Sequence, residues 1–304
     1  MVAKAVTYQR ASQYVNVASA ALFIADYLQT VDLEVSLIWE RDWSRVKVLY
    51  VISRYIPCLY LPVALFVGLQ YNPTVQKCGA SFATSSLLIV TGMMVAEAIL
   101  FIRVGALAQS KRISIWLILQ FIGVHAAIYA VFSLFLKSVK FLPYQIGNIP
   151  GCIPYRFNST LLLVVFGIVV ASETIIVLIT GYIGFRRYRS SDCALLVVFY
   201  QDGILYFVSL AAVTIGNIIF DVAGPPELRF MLAVPQGVLH SVLSCRMILH
   251  LYDFGKKEAT PTHATGTALE FATRNGGGET TRESDLSPHD QSSSEQKTGT
   301  QSSV

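Results

Sequence analysis

Charge is what this chain lacks. Only 14% of its 304 residues are Asp, Glu, Lys or Arg, against roughly 25% in ordinary soluble domains. The shortage is uneven: residues 1–252 hold 29 charged side chains, while the 52 residues from Asp253 onward hold 13. A front portion so poor in charge is too apolar to fold in water, which excludes a water-soluble enzyme. No nucleic-acid partner is expected.

Other absences narrow the class. The last apolar stretch has no lysine, so a retinal Schiff base has no attachment point. It has no N-P-x-x-Y, and the stretch before it has no W-x-P. No H-x-x-x-H or H-E-x-x-H pattern offers a local metal signature. Matching halves, expected of repeat-built transporters, are missing, and Pro235-Gln236 occurs once. The apolar runs do not alternate with polar residues as barrel strands do.

Long apolar runs are what the chain has. A bilayer core about 30 Å thick needs roughly 20 helical residues. Seven stretches meet that length: Tyr14–Asp32, Val48–Leu69, Phe82–Val104, Ser114–Leu136, Thr160–Gly184, Leu195–Phe220 and Phe230–Tyr252. Backbone polar groups find no water in hydrocarbon, so each should be a helix. The expectation is an all-α integral membrane protein: a seven-helix bundle over residues 1–252 and a tail over 253–304. The first stretch, interrupted by Asn16, Asp26 and Gln29, reads as a retained span rather than a cleaved signal peptide, since no A-x-A site follows it.

Lys and Arg favour the cytoplasmic side. The odd loops and the start of the tail carry 11 of them, and the N-terminus and even loops carry 7. A receptor-like topology follows, with the N-terminus outside, the tail in the cytosol and the plasma membrane as the expected location. Of five cysteines, Cys58 and Cys245 lie within spans, Cys193 opens the sixth, and Cys78 and Cys152 fall on the oxidising side. A Cys78–Cys152 disulfide would tie the loop of residues 137–159 over the outer end of span three. Asn158-Ser159-Thr160 is a glycosylation sequon on the same side. Pro143, Gly147, Pro150, Gly151 and Pro154 argue against continuous helix in that loop. Pro57 and Pro62 should kink span two, and Gly167 with Ala171 suits close helix packing. Trp39 and Trp43 suit a membrane interface.

Ionisable groups inside spans are costly and so need partners or a function. Asp26, Arg54, Glu97, Asp202 and Arg246 each fall five to seven residues from the inner end of their spans. At 1.5 Å per residue they form one layer, with Asp202 expected to pair with Arg246 and Arg54 with Asp26 or Glu97. A second group, His125, Glu173 and His240, lies near the midplane. Two histidines and a glutamate can ligate a metal, but on three separate helices they read as a polar cluster or pocket lining; neither metal nor cofactor is expected. The tail, rich in Ser, Thr and Gly with net charge −3, should be disordered.

Asp26-Tyr27-Leu28-Gln29-Thr30, Glu34-Val35, Ile38-Trp39, Lys47 and Arg54-Tyr55 resemble the N-terminal domain of unknown function 6533, which heads seven-span proteins of mushroom-forming fungi. Arg103-Val104-Gly105-Ala106-Leu107-Ala108 is similar to that family's R-V-Y-A-L-Y run, with Gly and Ala in place of its aromatics. Asp202-Gly203, Tyr206-Phe207, Asn217 and Ser244-Cys245-Arg246-Met247 resemble its sixth and seventh spans. The resemblance implies fold and topology but no activity. A receptor-like sensor of an extracellular small molecule, coupled to a cytosolic signalling partner, is the expected function; a secondary transporter or proton-coupled permease comes next and a membrane-embedded hydrolase last. The chain is not expected to be an enzyme.

Overall fold

A computed structural model describes residues 2–40, 42–67, 74–146, 149–188, 194–225 and 228–259. Helix α1 runs Val2–Glu34 and continues as a π-helical turn over Val35–Trp39. Then follow α2 (Arg45–Tyr55), α3 (Pro57–Val67), α4 (Val75–Ala108), α5 (Lys111–Ser138), strands β1 (Lys140–Ile146) and β2 (Ile149–Arg156), α6 (Ser159–Tyr188), α7 (Ala194–Ala223) and α8 (Ala233–Ala259). Helix α8 continues past the expected boundary at Tyr252. The tail from residue 260, and Cys193, lie outside the described residues.

Four helical segments among the described residues are long and apolar enough to cross a membrane: Arg45–Phe66, Val75–Ala108, Lys111–Ser138 and Ser159–Ile183. Helices α1 and α8 fall short because they carry the buried polar groups described below. The apolar side chains face outward as well as inward. On α5, Ile115, Ile118, Leu119 and Ile122 form an exposed stripe at helical spacing. In water such a face would be covered; here the fitting surroundings are lipid, as in an integral membrane protein.

Helix α4 is the hub. Its 34 residues span about 51 Å, and it packs against α2, α3, α5, α6 and β1. Close approach depends on two glycines. A Cβ on Gly92 would sit 2.9 Å from Ile56 Cγ2, and one on Gly237 of α8 would sit 3.1 Å from both Ile89 Cγ2 and Tyr60 Oη. The glycine singled out from the sequence behaves differently: a Cβ on Gly167 would meet nothing within 4 Å, and Gly167 and Ala171 are both exposed. Small residues at a four-residue spacing mark a helix contact only if that face turns inward, and this one does not.

The segment between α5 and α6 also departs from expectation, since it folds as an antiparallel hairpin, the one sheet among the described residues. Its prolines are tolerated because each strand of a two-stranded ribbon has a free edge that needs no donor. A Cys78–Cys152 disulfide fastens the hairpin to α4, and Gln9 of α1 donates a hydrogen bond to the Cys152 carbonyl at 2.9 Å. Asn158 is exposed and caps α6, its Oδ1 accepting from Thr160 N at 3.1 Å.

The α2–α3 break shows how the chain satisfies its backbone without water. Pro57 has no N–H, so the Ser53 carbonyl one turn earlier loses its helical donor. Ser241 of α8 supplies the replacement, donating Oγ–H to the Ser53 oxygen at 2.7 Å. Ser53 Oγ meets Ser244 Oγ at 3.1 Å alongside. The kink is thereby bolted to α8. Ser241→Ala should strand the carbonyl and lower stability by about 1–3 kcal/mol. Adding Pro57→Ala returns an N–H to Ser53 and should recover part of the loss. Thermal unfolding of both proteins in detergent measures this; a double variant no better than Ser241→Ala would contradict it.

Candidate functional site

The buried charges begin with a helical stripe. Asp26, Thr30 and Glu34 stand four residues apart on α1, hence on one face. All three are buried, and they surround Arg54 of α2, which is 0% exposed. Arg54 Nη1 donates to Asp26 Oδ2 at 2.5 Å and Nε to Glu34 Oε2 at 3.3 Å, while Nη2 donates to Thr30 Oγ1. The guanidinium also lies 5.1 Å from the Tyr27 ring centroid. Glu34 has two further donors, Tyr55 Oη–H at 2.7 Å and Trp39 Nε1–H at 3.2 Å.

Asp26 is shared. Its second oxygen accepts from Arg246 Nε of α8 at 2.5 Å, and Arg246 Nη2 reaches Gln29 Oε1 at 2.9 Å. Two acids and two arginines thus form a neutral group joining α1, α2 and α8. Arg246 meets Asp26, whose two oxygens let it bridge two guanidiniums. The Asp202 side chain lies outside the described residues. Glu34 lies two residues beyond the expected end of span one at Asp32 and so falls outside the expected layer; the i, i+4, i+8 spacing of Asp26, Thr30 and Glu34 is the signal in the sequence that includes it.

Glu97 does not join this group. The expected depth took Val104 as the end of its helix, whereas α4 continues to Ala108, which moves Glu97 about 6 Å further in. There it meets the second group. Glu97 Oε2 lies 3.4 Å from His125 Nε2, and Glu173 Oε1 lies 3.6 Å from His240 Nε2. His125 Nδ1 is 2.9 Å from the Phe121 carbonyl; a carbonyl only accepts, so this nitrogen carries the proton and Nε2 faces Glu97. One ligand atom from each of Glu97, Glu173 and His240 lies within 4.8 Å of the other two. Further along α8, Gln236 accepts from Asn217 Nδ2 at 2.6 Å and donates to Thr214 Oγ1 at 2.9 Å, tying α7 to α8.

A cavity of about 190 Å³ lies beneath the hairpin, with walls from α1, α4, α5, α6 and α8. Gln9, Gln13 and Asn16 border it near the hairpin; Ile89, Met93, Ile128 and Val165 make it predominantly apolar; Glu97 and His125 lie deepest. From Cys78 to Glu97 is 19 residues along α4, about 28 Å. The ion-pair group lies apart from it, Arg246 standing six residues, about 9 Å, beyond His240 on α8.

Residues 14–59 match a family described as a family of unknown function (DUF6533). Those residues contain Asp26, Gln29, Thr30, Glu34, Trp39, Arg54 and Tyr55, so the matched segment supplies all of the ion-pair group except Arg246. No curated protein matches the chain.

The group sets an order of sensitivity. Arg54→Gln leaves Asp26 and Glu34 buried and should cost about 3–5 kcal/mol. Arg246→Gln should cost about 1 kcal/mol or less, since that side chain is 40% exposed. Combining Asp26→Asn with Arg246→Gln should cost less than the sum of the single losses. Unfolding midpoints of the purified proteins would test this; additive losses, or equal losses at both arginines, would contradict the shared carboxylate.

Proposed function

We propose that the chain is a seven-helix, receptor-like membrane sensor. Its N-terminus lies outside, its tail faces a cytosolic signalling partner, and the plasma membrane is its site of action. The ligand is a small, largely apolar molecule carrying a polar group. The observation behind this reading is the cavity under the disulfide-tethered hairpin, apolar along its walls and ending in Glu97 and His125. Pockets of this build, apolar with a few polar groups at one end, take small molecules in a fixed orientation. Loops held across a cavity mouth often form lids or binding elements. The neutral ion-pair group beyond the cavity supplies a contact set that can differ between two helix arrangements, as a switch requires.

The test uses full-length protein in lipid nanodiscs and in proteoliposomes. Small apolar compounds bearing one polar group should raise the unfolding temperature. Ser86→Trp, which fills the cavity from α4, should abolish that rise. Bound compounds should speed nucleotide exchange on a reconstituted G-protein α subunit without accumulating inside the vesicles. Accumulation would replace the sensor with a transporter, and a temperature rise unaffected by Ser86→Trp would place binding elsewhere.

A further inference from the structure

Glu173 and His240 are inconsistent with a polar cluster that is complete in itself. His240 is 0% and Glu173 6% exposed, yet both Glu173 oxygens and both His240 ring nitrogens lack a hydrogen-bond partner. Four orphaned polar atoms at one buried place call for an ion or water that satisfies them. Two carboxylates so close together stay ionised only with a positive charge between them, and otherwise share a proton.

We propose that Glu97, Glu173 and His240 bind a divalent transition-metal ion of the zinc class. Two ligands about 2.0–2.1 Å from a tetrahedral ion stand roughly 3.3 Å apart, and His240 Nε2 and Glu173 Oε1 stand 3.6 Å apart. The remaining distances, within 4.8 Å, close by side-chain rotation, since the three residues come from α4, α6 and α8. A dication neutralises both carboxylates, and a neutral imidazole with carboxylate oxygens suits zinc and its first-row neighbours. His125 lies behind Glu97 with Nδ1 held by the Phe121 carbonyl; protonated on both nitrogens, its Nε2–H donates to the metal-ligating carboxylate and orients it. The cavity reaches Glu97, which gives the ion a way in and leaves a coordination position facing the cavity. The site ties three helices at the cavity's deep end, and it stands whether or not that cavity takes an apolar ligand.

Untagged full-length protein, stripped with a chelator in detergent, is titrated with Zn²⁺ against a chromophoric competitor. About one ion per chain should bind, with a rise in unfolding temperature. Glu173→Gln and His240→Ala should each weaken binding by 100-fold or more, and His125→Ala by about 10–100-fold. His250→Ala, at an exposed position of α8, should change nothing. Co²⁺ bound to the wild-type protein should give a tetrahedral visible spectrum without thiolate charge-transfer bands, a readout that needs no variant to fold. Failure of the folded wild-type protein to take up Zn²⁺ or Co²⁺ would overturn the proposal, as would a thiolate spectrum or undiminished binding by folded His240→Ala.

Discussion

A guanidinium with no access to water is the constraint around which this protein is arranged. Arg54 is fully buried, and an uncompensated ion in a low-dielectric interior costs several kcal/mol even after relaxation. Its position is tenable because three side chains on one stripe of α1 receive its three kinds of nitrogen. That arrangement brings two acids for one base, and Arg246 from α8 offsets the excess negative charge. Neutrality therefore requires helices that are far apart in sequence, and it fixes how α1, α2 and α8 sit together.

Helix α8 carries this logic along its length. Gln236, His240 and Ser244 stand at four-residue spacing, with Ser241 and Arg246 beside them. Together they face four helices: Gln236 meets α7, His240 meets α6, the two serines meet α2, and Arg246 meets α1. Its polar residues share the buried faces with Val234, Val238, Val242 and Ile248, whereas a surface helix in water keeps such polar groups outside. Between such helices no hydrophobic force drives association, because lipid tails are as apolar as leucine; packing and polar contacts hold them together. Gly237 lets α8 come close to α4, so the polar groups reach partners on either side.

The parts legible in the sequence were those governed by local rules. Apolar length gave the helical stretches, Pro57 gave the α2–α3 break, and the cysteines outside the spans gave the disulfide. What sequence could not provide was azimuth and exact helix length. Four residues added to α4 beyond Val104 moved Glu97 from one polar group to the other. Which way a helix turns decided that Gly167 is exposed while Gly92 and Gly237 are buried in contacts. The Arg246–Asp26 contact depends on a carboxylate already engaged by Arg54 still having a free oxygen, and no pattern of spacing records that. The hairpin escaped because prolines that forbid helix do not announce a two-stranded ribbon.

The segment matching the family of unknown function is best understood through the same charge count. Residues 14–59 bring Asp26, Glu34 and Arg54 together, a set that is one positive charge short. Its kink at Pro57 leaves a carbonyl that Ser241 satisfies. The segment thus ends in two unmet requirements, one ionic and one a hydrogen bond, and both are met by α8 within six residues of one another. A matched stretch of this kind is not an independent folding unit. It is one half of an interface whose other half lies near the far end of the membrane-embedded chain, so any movement of α8 that draws Arg246 from Asp26 also pulls on Ser241 at the Pro57 break.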